Sequence, residues 1–286
     1  MTTVPRTVGV VGGGRMGAGI AQVFASIGST VIIAETADQS AARRRVSTGL
    51  DRAAERGKLT QPADEILARV STVDDPTALP ADLDLVVEAV PEIPALKLEV
   101  LGLVDKTVSA RTVIASNTSS ISIAELGAAL ADPSRFIGMH FFNPVPASTL
   151  VEIVRAPATS AAVVEQVLEW VVLLGKTDVL VNDSPGFATS RLGICLGLEA
   201  IRMLEDGVAE AASIDRAMEL GYRHPMGPLR STDLVGLDVR LAIAEHLAAT
   251  LGDRFTPPQL LRDKVARGEL GRKSGQGFYN WNEVTS

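Results

Sequence analysis

The chain is poor in the residues that build disulfides and metal clusters: it has one cysteine, Cys195, and three histidines among 286 residues. A single cysteine permits no intrachain disulfide and no cysteine metal cluster, and such scarcity suits a reducing compartment. Cys195 stands among apolar residues of a predicted helix, so a buried structural thiol is expected. A basic excess is also missing. The net charge is −7, which argues against nucleic acid as a main partner. No apolar run reaches the length of a membrane span. The opening Met1-Thr2-Thr3-Val4-Pro5-Arg6 lacks the pattern of a signal peptide, so a cytoplasmic protein is expected. There is no internal repeat and no low-complexity segment. What is present is 46% apolar and 21% charged residues, a globular balance in a chain long enough for two domains.

The organising stretch is Val8-Gly9-Val10-Val11-Gly12-Gly13-Gly14-Arg15-Met16-Gly17. A short apolar strand runs into Gly12-x-Gly14-x-x-Gly17 and then into a predicted helix over Ala18 to Ile27. Gly12 allows the tight turn, Gly14 lets a pyrophosphate approach the backbone, and Gly17 lets helix and strand pack closely. The diphosphate would sit over the helix N-terminus. A second strand, Thr30 to Ala34, ends in Glu35, about 20 residues past the turn, where a carboxylate accepts from ribose hydroxyls. It would also repel a 2′-phosphate, which favours NAD over NADP. Read blandly, Glu35 is a solvated charge at a strand end.

A helix over about Ala37 to Arg56 carries Arg43, Arg44, Arg45, Arg52 and Arg56, with Lys58 beyond it. This is either a solvated face or a docking surface for a phosphorylated ligand such as coenzyme A. Further strands are expected at Leu83–Glu88, Thr112–Ala115, Arg135–Met139, Leu150–Val154 and Asp178–Val181. Between them lie helices over Pro62–Arg69, Ala95–Thr107, Ile121–Leu130 and Ser160–Leu174. Lys97 falls in the first turn of the second of these. Ser116-Asn117-Thr118-Ser119-Ser120 is a run of small polar residues longer than capping of the next helix needs. Alternating strands and helices predict an α/β protein with an N-terminal Rossmann-type, doubly wound parallel sheet over residues 1–183. Residues 184–286 read as an all-α C-terminal domain. Its helices are expected at Phe187–Glu205, Ser213–Leu220, Leu229–Leu251 and Pro257–Ala266, with Ser213 as an N-cap and Gly207 and Gly221 as stops. The apolar surface of these helices suggests a dimer.

Of the histidines, His246 reads as structural or exposed, and His224 precedes a turn, Pro225-Met226-Gly227-Pro228. His140 ends a strand on the ligand-binding edge of the sheet. Twelve residues on, Glu152 stands in the apolar run Leu150–Val154. A carboxylate there is costly to bury unless paired. A His–Glu pair removes that cost, and it is either structural or a general base oriented by a carboxylate.

These motifs resemble the short-chain L-3-hydroxyacyl-CoA dehydrogenases, including bacterial 3-hydroxybutyryl-CoA dehydrogenases. The resemblance covers nearly the whole chain. It rests on the glycine turn, Val86-Val87-Glu88-Ala89, Ser116 to Ser120, His140-Phe141-Phe142-Asn143-Pro144-Val145-Pro146, Asp183-Ser184-Pro185-Gly186-Phe187, Pro225 to Pro228, and Gly271-Arg272-Lys273-Ser274-Gly275-Gln276-Gly277-Phe278-Tyr279. It implies NAD-dependent interconversion of L-3-hydroxyacyl-CoA and 3-oxoacyl-CoA. His140 then matches the catalytic base, Glu152 its partner, and Ser119 the serine bonded to the reacting oxygen. Gly12, Gly14, Met16, Gly17, Glu35, Glu92, Lys97, Ser119, Asn143 and Lys273 match cofactor-contacting positions. Arg52 and Lys58 belong to the region that meets coenzyme A. A homodimer through the C-terminal domain is implied as well.

There is one departure. The family places a substrate-contacting asparagine before the arginine of this stretch, and here Ala188-Thr189-Ser190-Arg191 puts Ser190 in its place. A serine keeps a donor and an acceptor at shorter reach, and loss of one polar contact is worth about 1–3 kcal/mol. Two other readings compete. One is a dehydrogenase of a small hydroxy acid or sugar acid on the same plan; against it, Phe187 to Glu205 lacks a lysine to serve as its catalytic group. The other is a non-catalytic dinucleotide-binding protein, for which Ser190 is the only pointer.

Overall fold

The computed structural model describes residues 4–282, so Met1 to Thr3 of the opening stretch lie outside the described residues. The chain divides into two compact units, Met1–Ser184 and Pro185–Ser286. The first contains β1 (Thr7–Val11), α1 (Arg15–Ser26), β2 (Thr30–Ala34), α2 (Gln39–Glu55), α3 (Ala63–Leu67), β3 (Val70–Val73), β4 (Leu85–Glu88), α4 (Pro94–Thr107), β5 (Val113–Ser116), α5 (Ile123–Gly127), β6 (Phe136–Phe141), β7 (Leu150–Arg155), α6 (Ala161–Leu173) and β8 (Thr177–Asn182). The second contains α7 (Thr189–Glu205), α8 (Ala211–Gly221), α9 (Pro228–Val235), α10 (Leu237–Leu251) and α11 (Gln259–Ala266).

The eight strands form one sheet in the order β3-β2-β1-β4-β5-β6-β7-β8. The chain first builds outward from β1 through β2 to β3, then returns to add β4 on the other side. The crevice of the fold therefore opens where β1 and β4 part, at their C-terminal ends. Neighbouring strands are parallel except for β6 and β7. Their connection over residues 142–149 is too short for a crossover, so the chain turns back antiparallel. The interiors of β1, β4 and β5 are aliphatic and fully buried, as in sheets covered on both faces.

Several expectations need correction. β3 was not foreseen, because Val70-Ser71-Thr72-Val73 is short and half polar, and only its pairing with β2 makes it a strand. The helix expected over Ile121–Leu130 shrinks to α5 and is capped by Ser122, whose hydroxyl accepts from the Glu125 N–H. The helix expected over Leu229–Leu251 is two helices, broken at Gly236, where φ is +107°. Ser213 lies inside α8, whose N-cap position is Glu210. Cys195 is exposed on α7 rather than buried, because the apolar face of that helix passes through Ile194 and Leu198 instead.

Two buried carboxylates tie the second unit together. Asp233 on α9 accepts from the Phe278 and Tyr279 N–H groups at 2.9 Å each and from the Trp281 indole at 2.8 Å. Asp215 on α8 accepts from the Leu229 and Arg230 N–H groups and from the Tyr279 hydroxyl at 2.7 Å. Burial and this last bond push the Tyr279 hydroxyl well above the usual range. The glycines of the two late motifs make room: a Cβ on Gly277 would lie 2.2 Å from the Asp233 carboxylate, and one on Gly227 2.1 Å from the Asp215 Cβ. The motifs therefore report the anchoring of the C-terminal tail. Asp233→Ala strands three donors and should lower stability by about 3 kcal/mol. Urea unfolding with tryptophan fluorescence checks this, and a loss below about 0.5 kcal/mol would contradict it.

Candidate active site

The site grows from the C-terminal edge of the first unit's sheet. At Gly12 φ is +97°, and a Cβ there would strike the Ala89 carbonyl oxygen at 2.8 Å. A Cβ on Gly17 would lie 1.8 Å from the Gly12 oxygen, so α1 can start against the turn only with glycine there. Gly14, the N-cap of α1, makes no side-chain cap bond, and nothing stands within 4 Å of where its Cβ would be. The result is an open cradle of backbone N–H groups at a helix N-terminus, which fits a dinucleotide diphosphate. Met16, the second residue of the helix, is half-buried against the core.

Glu35 follows β2, and both its oxygens are engaged. Oε2 accepts from the Gly13 N–H at 2.8 Å and Oε1 from the Ala37 N–H at 2.9 Å. The carboxylate is locked over the glycine turn, with acceptor capacity left on each oxygen. Arg45 donates to the Gly13 carbonyl oxygen at 3.0 Å, so the Gly13 residue is gripped from both sides. Arg43 donates to the Val70 carbonyl oxygen. Two members of the basic run thus serve the fold, and Arg44 makes a surface pair with Asp38. Arg52, Arg56 and Lys58 remain as the exposed basic face.

Next to the turn lies a buried ionic web. Lys97, 1% exposed, donates to Glu88 at 2.7 and 3.0 Å, lies 3.3 Å from Glu92, and also donates to the Val90 carbonyl oxygen. Its ammonium is spent on holding the loop after β4 rather than presented outward. Ser116 donates to Glu88 at 2.5 Å. Glu92 Oε1 accepts from the Thr118 hydroxyl at 2.6 Å, the Ser119 N–H at 2.8 Å and the Ser119 hydroxyl at 3.2 Å. Asn117 Oδ1 accepts from the Phe141 N–H at 2.8 Å, which ties this loop to the end of β6. The small polar run is thus a set of donors and acceptors fitted to two carboxylates and a strand end. Desolvation pushes Glu88 above the usual carboxylate range despite Lys97. For Glu92 desolvation pulls the same way, but Lys97 and the Thr118 and Ser119 bonds outweigh it and hold the carboxyl low.

His140 and Glu152 are register partners on the antiparallel pair β6 and β7. Directly opposed residues project from the same face. The His140 Nδ1–H donates to Glu152 Oε2 at 3.0 Å, with Glu152 fully buried and His140 nearly so. The Phe142 ring stands 4.3 Å from the imidazole. Asn143 is exposed on the following loop. That loop is pinned by Lys176, whose ammonium donates to the Val145 and Ser148 carbonyl oxygens at 2.7 and 2.5 Å. Burial lowers the pKa of Lys176.

Ser190 and Lys273 belong to the second unit. Ser190 lies in the first turn of α7, and Lys273 forms an ion pair with Asp238 at 2.6 Å. His224 and His246 are also in that unit. Sequence reasoning assigned no role to Glu88, Asn117 or Lys176. For Glu88 a signal existed, since it closes an apolar strand just as Glu152 interrupts one. For Lys176 there was none.

Lys97→Met leaves Glu88 buried beside Glu92 with no cation and should cost about 3–5 kcal/mol near neutral pH. Because Glu88 already titrates high, the deficit should shrink as pH falls and the carboxyl takes a proton. Denaturant unfolding near neutral pH and at about pH 5 checks the sign, and a deficit that grows in acid would overturn the account.

Comparisons with known proteins show the family. A family model described as "3-hydroxyacyl-CoA dehydrogenase, NAD binding domain" matches residues 7–184, and one for the C-terminal domain of the same enzymes matches residues 186–281. A relative from Deinococcus radiodurans, named probable 3-hydroxybutyryl-CoA dehydrogenase, is 43% identical, with 96% of this chain and 99% of that one covered. The crystal structure of Mycobacterium tuberculosis FadB2 superposes with a TM-score of 0.92 at 42% identity, covering 97% of this chain and 99% of the other. That of (S)-3-hydroxybutyryl-CoA dehydrogenase PaaH1 from Ralstonia eutropha gives 0.92 at 41% identity, with the same coverage. With its glycine cradle, its polar loop and its His–Glu pair on one sheet edge, the chain belongs to the NAD-dependent 3-hydroxyacyl-CoA dehydrogenases.

Proposed function

We propose that this enzyme interconverts a short-chain L-3-hydroxyacyl-CoA, such as 3-hydroxybutyryl-CoA, and its 3-oxoacyl-CoA, with His140 moving the hydroxyl proton. The supporting observation is the 3.0 Å contact between His140 Nδ1 and the buried Glu152. With Nδ1–H given to the carboxylate, Nε2 is the acceptor nitrogen of the neutral ring. That nitrogen takes the hydroxyl proton in the oxidative direction and returns it in reduction. Glu152 fixes the ring plane and balances the imidazolium formed. The nicotinamide cofactor supplies the hydride chemistry.

The other residues position. The Ser119 hydroxyl, anchored near Glu92, bonds the substrate oxygen at the reacting carbon. Glu35, held by the Gly13 and Ala37 N–H groups, accepts from the adenosine ribose and disfavours a 2′-phosphate. Lys97 acts by holding Glu92, and Asn143 meets the cofactor from the loop that Lys176 pins. Arg52 and Lys58 meet the phosphates of coenzyme A. Ser190 and Lys273 stand at positions where the family pattern implies a substrate contact and a cofactor contact. A homodimer through that unit is supported by its exposed apolar residues Leu192, Val208, Leu220 and Tyr222. A cytoplasmic setting suits a chain whose one cysteine is exposed. Among the described residues no helix is long and apolar enough to cross a membrane.

The test is NADH oxidation with acetoacetyl-CoA, with NADPH in parallel. The wild type should oxidise NADH and spare NADPH. His140→Gln should lose turnover on the order of 10²–10⁴-fold while NADH affinity is kept. Equal use of NADPH would overturn the role of Glu35. A His140→Gln enzyme of normal turnover would overturn the role of His140.

A further inference from the structure

One cation stands between two carboxylates beside the polar loop, and its distances to them are unequal. Lys97 Nζ lies 2.7 and 3.0 Å from the Glu88 oxygens and 3.3 Å from Glu92 Oε2. The three side chains run from the core to the surface: Glu88 and Lys97 are buried, and the Glu92 side chain is 36% exposed. Glu88 is well supplied with donors, since it also accepts from the Ser116 hydroxyl at 2.5 Å and from the Val90 N–H at 2.7 Å. It ends β4, Ser116 ends β5, and Val90 lies in the loop that leads to Glu92. The inner carboxylate therefore fixes the position of the ammonium, and the outer one takes what remains.

That division leaves Glu92 to face the other way. Its Oε1 accepts from the Thr118 hydroxyl at 2.6 Å, the Ser119 N–H at 2.8 Å and the Ser119 hydroxyl at 3.2 Å, while Oε2 faces Lys97. The two oxygens are rigidly linked, so a turn of the carboxylate toward the ammonium carries Oε1 away from Ser119. A lysine is a compact point charge on a flexible stem, and it follows the negative charge around it. Without charge on Glu88, its pull falls on Glu92 alone. A charge-assisted bond settles near about 2.8 Å, so the 3.3 Å contact has room to close by about half an ångström. A shift of that size matters for a group that must meet a reacting molecule.

We propose that Glu88 is a positioning residue for the reaction: by claiming Lys97, it leaves the Glu92 carboxylate to orient the Ser119 hydroxyl. The inference rests on the reading of Ser119 as the group bonded to the substrate oxygen. Glu88 is fully buried, so it acts through this chain of contacts and not by touching the substrate. A Glu88 that served the fold alone would be met by the same donors. Its loss would then change how much enzyme is folded, and not the rate of each folded molecule. Ser116 takes a lesser part, because its hydroxyl holds Glu88 Oε2.

The experiment is a double-mutant cycle between Glu88→Gln and Ser119→Ala. It is read as kcat per folded molecule for NADH oxidation with acetoacetyl-CoA, with a thermal melt and an NADH affinity for each variant. Glu88→Gln should lower kcat about 10–100-fold while NADH affinity changes by less than about threefold. In the Ser119→Ala background the same substitution should cost less than about threefold, because the group it positions is gone. An equal loss in both backgrounds would overturn the inference. So would a Glu88→Gln enzyme of normal kcat, or one whose loss lies wholly in NADH affinity. If Glu88→Gln does not fold, Ser116→Ala takes its place in the cycle, with a loss of about 3–10-fold expected and the same three outcomes counting against it. An active wild type with an additive cycle sinks this inference alone. A wild type that oxidises no NADH with acetoacetyl-CoA removes the proposed function, and this inference with it.

Discussion

A carboxylate buried in an apolar interior has to be met by donors, and that constraint shapes both units of this protein. Glu88 and Glu152 are fully buried in the sheet, and Asp215 and Asp233 nearly so among the helices. Left unmet, each would take up a proton or open the structure, because the cost of desolvating a charge exceeds most single contributions to stability. Each is met from outside its own strand or helix. Glu88 is answered by Lys97 and Ser116, Glu152 by His140, Asp215 by Leu229, Arg230 and Tyr279, and Asp233 by Phe278, Tyr279 and Trp281.

The same constraint prepares the chemistry. Lys97 joins a strand end to the loop after it, and through Glu92 it fixes Ser119. Asn117 couples that loop to the strand that ends near His140. Glu152 holds the imidazole by one nitrogen, so a single tautomer suits the ring. Lys176 sets the loop that carries Asn143. The groups proposed to meet the reacting molecule thus rest on packed strands and paired charges, so that little of their geometry would have to be created on binding.

Much of this was legible in the chain. Strand periodicity, the glycine turn and the acidic residue after β2 are local signals, imposed by backbone geometry over a few residues, and they foretold the doubly wound sheet and the place of the glycine turn at the end of its first strand. The pairing of His140 with Glu152 could be anticipated because an isolated carboxylate in an apolar strand demands a partner. Other features were closed to such reading. Val70–Val73 becomes a strand only beside β2, α9 and α10 separate at one glycine whose φ is positive, and Cys195 faces outward because its helix turns Ile194 and Leu198 inward. The sharing of Arg43 and Arg45 with the fold and the grip of Lys176 on a distant loop likewise depend on which side chains meet across long separations in sequence. The sequence by itself determined most of the elements, the glycine turn and the residue types of the candidate site, because these follow from local conformation and residue type. Beyond the His140–Glu152 pair, the tertiary structure decided which charges are paired, because pairing is a property of distance, and distance is set by how the elements pack.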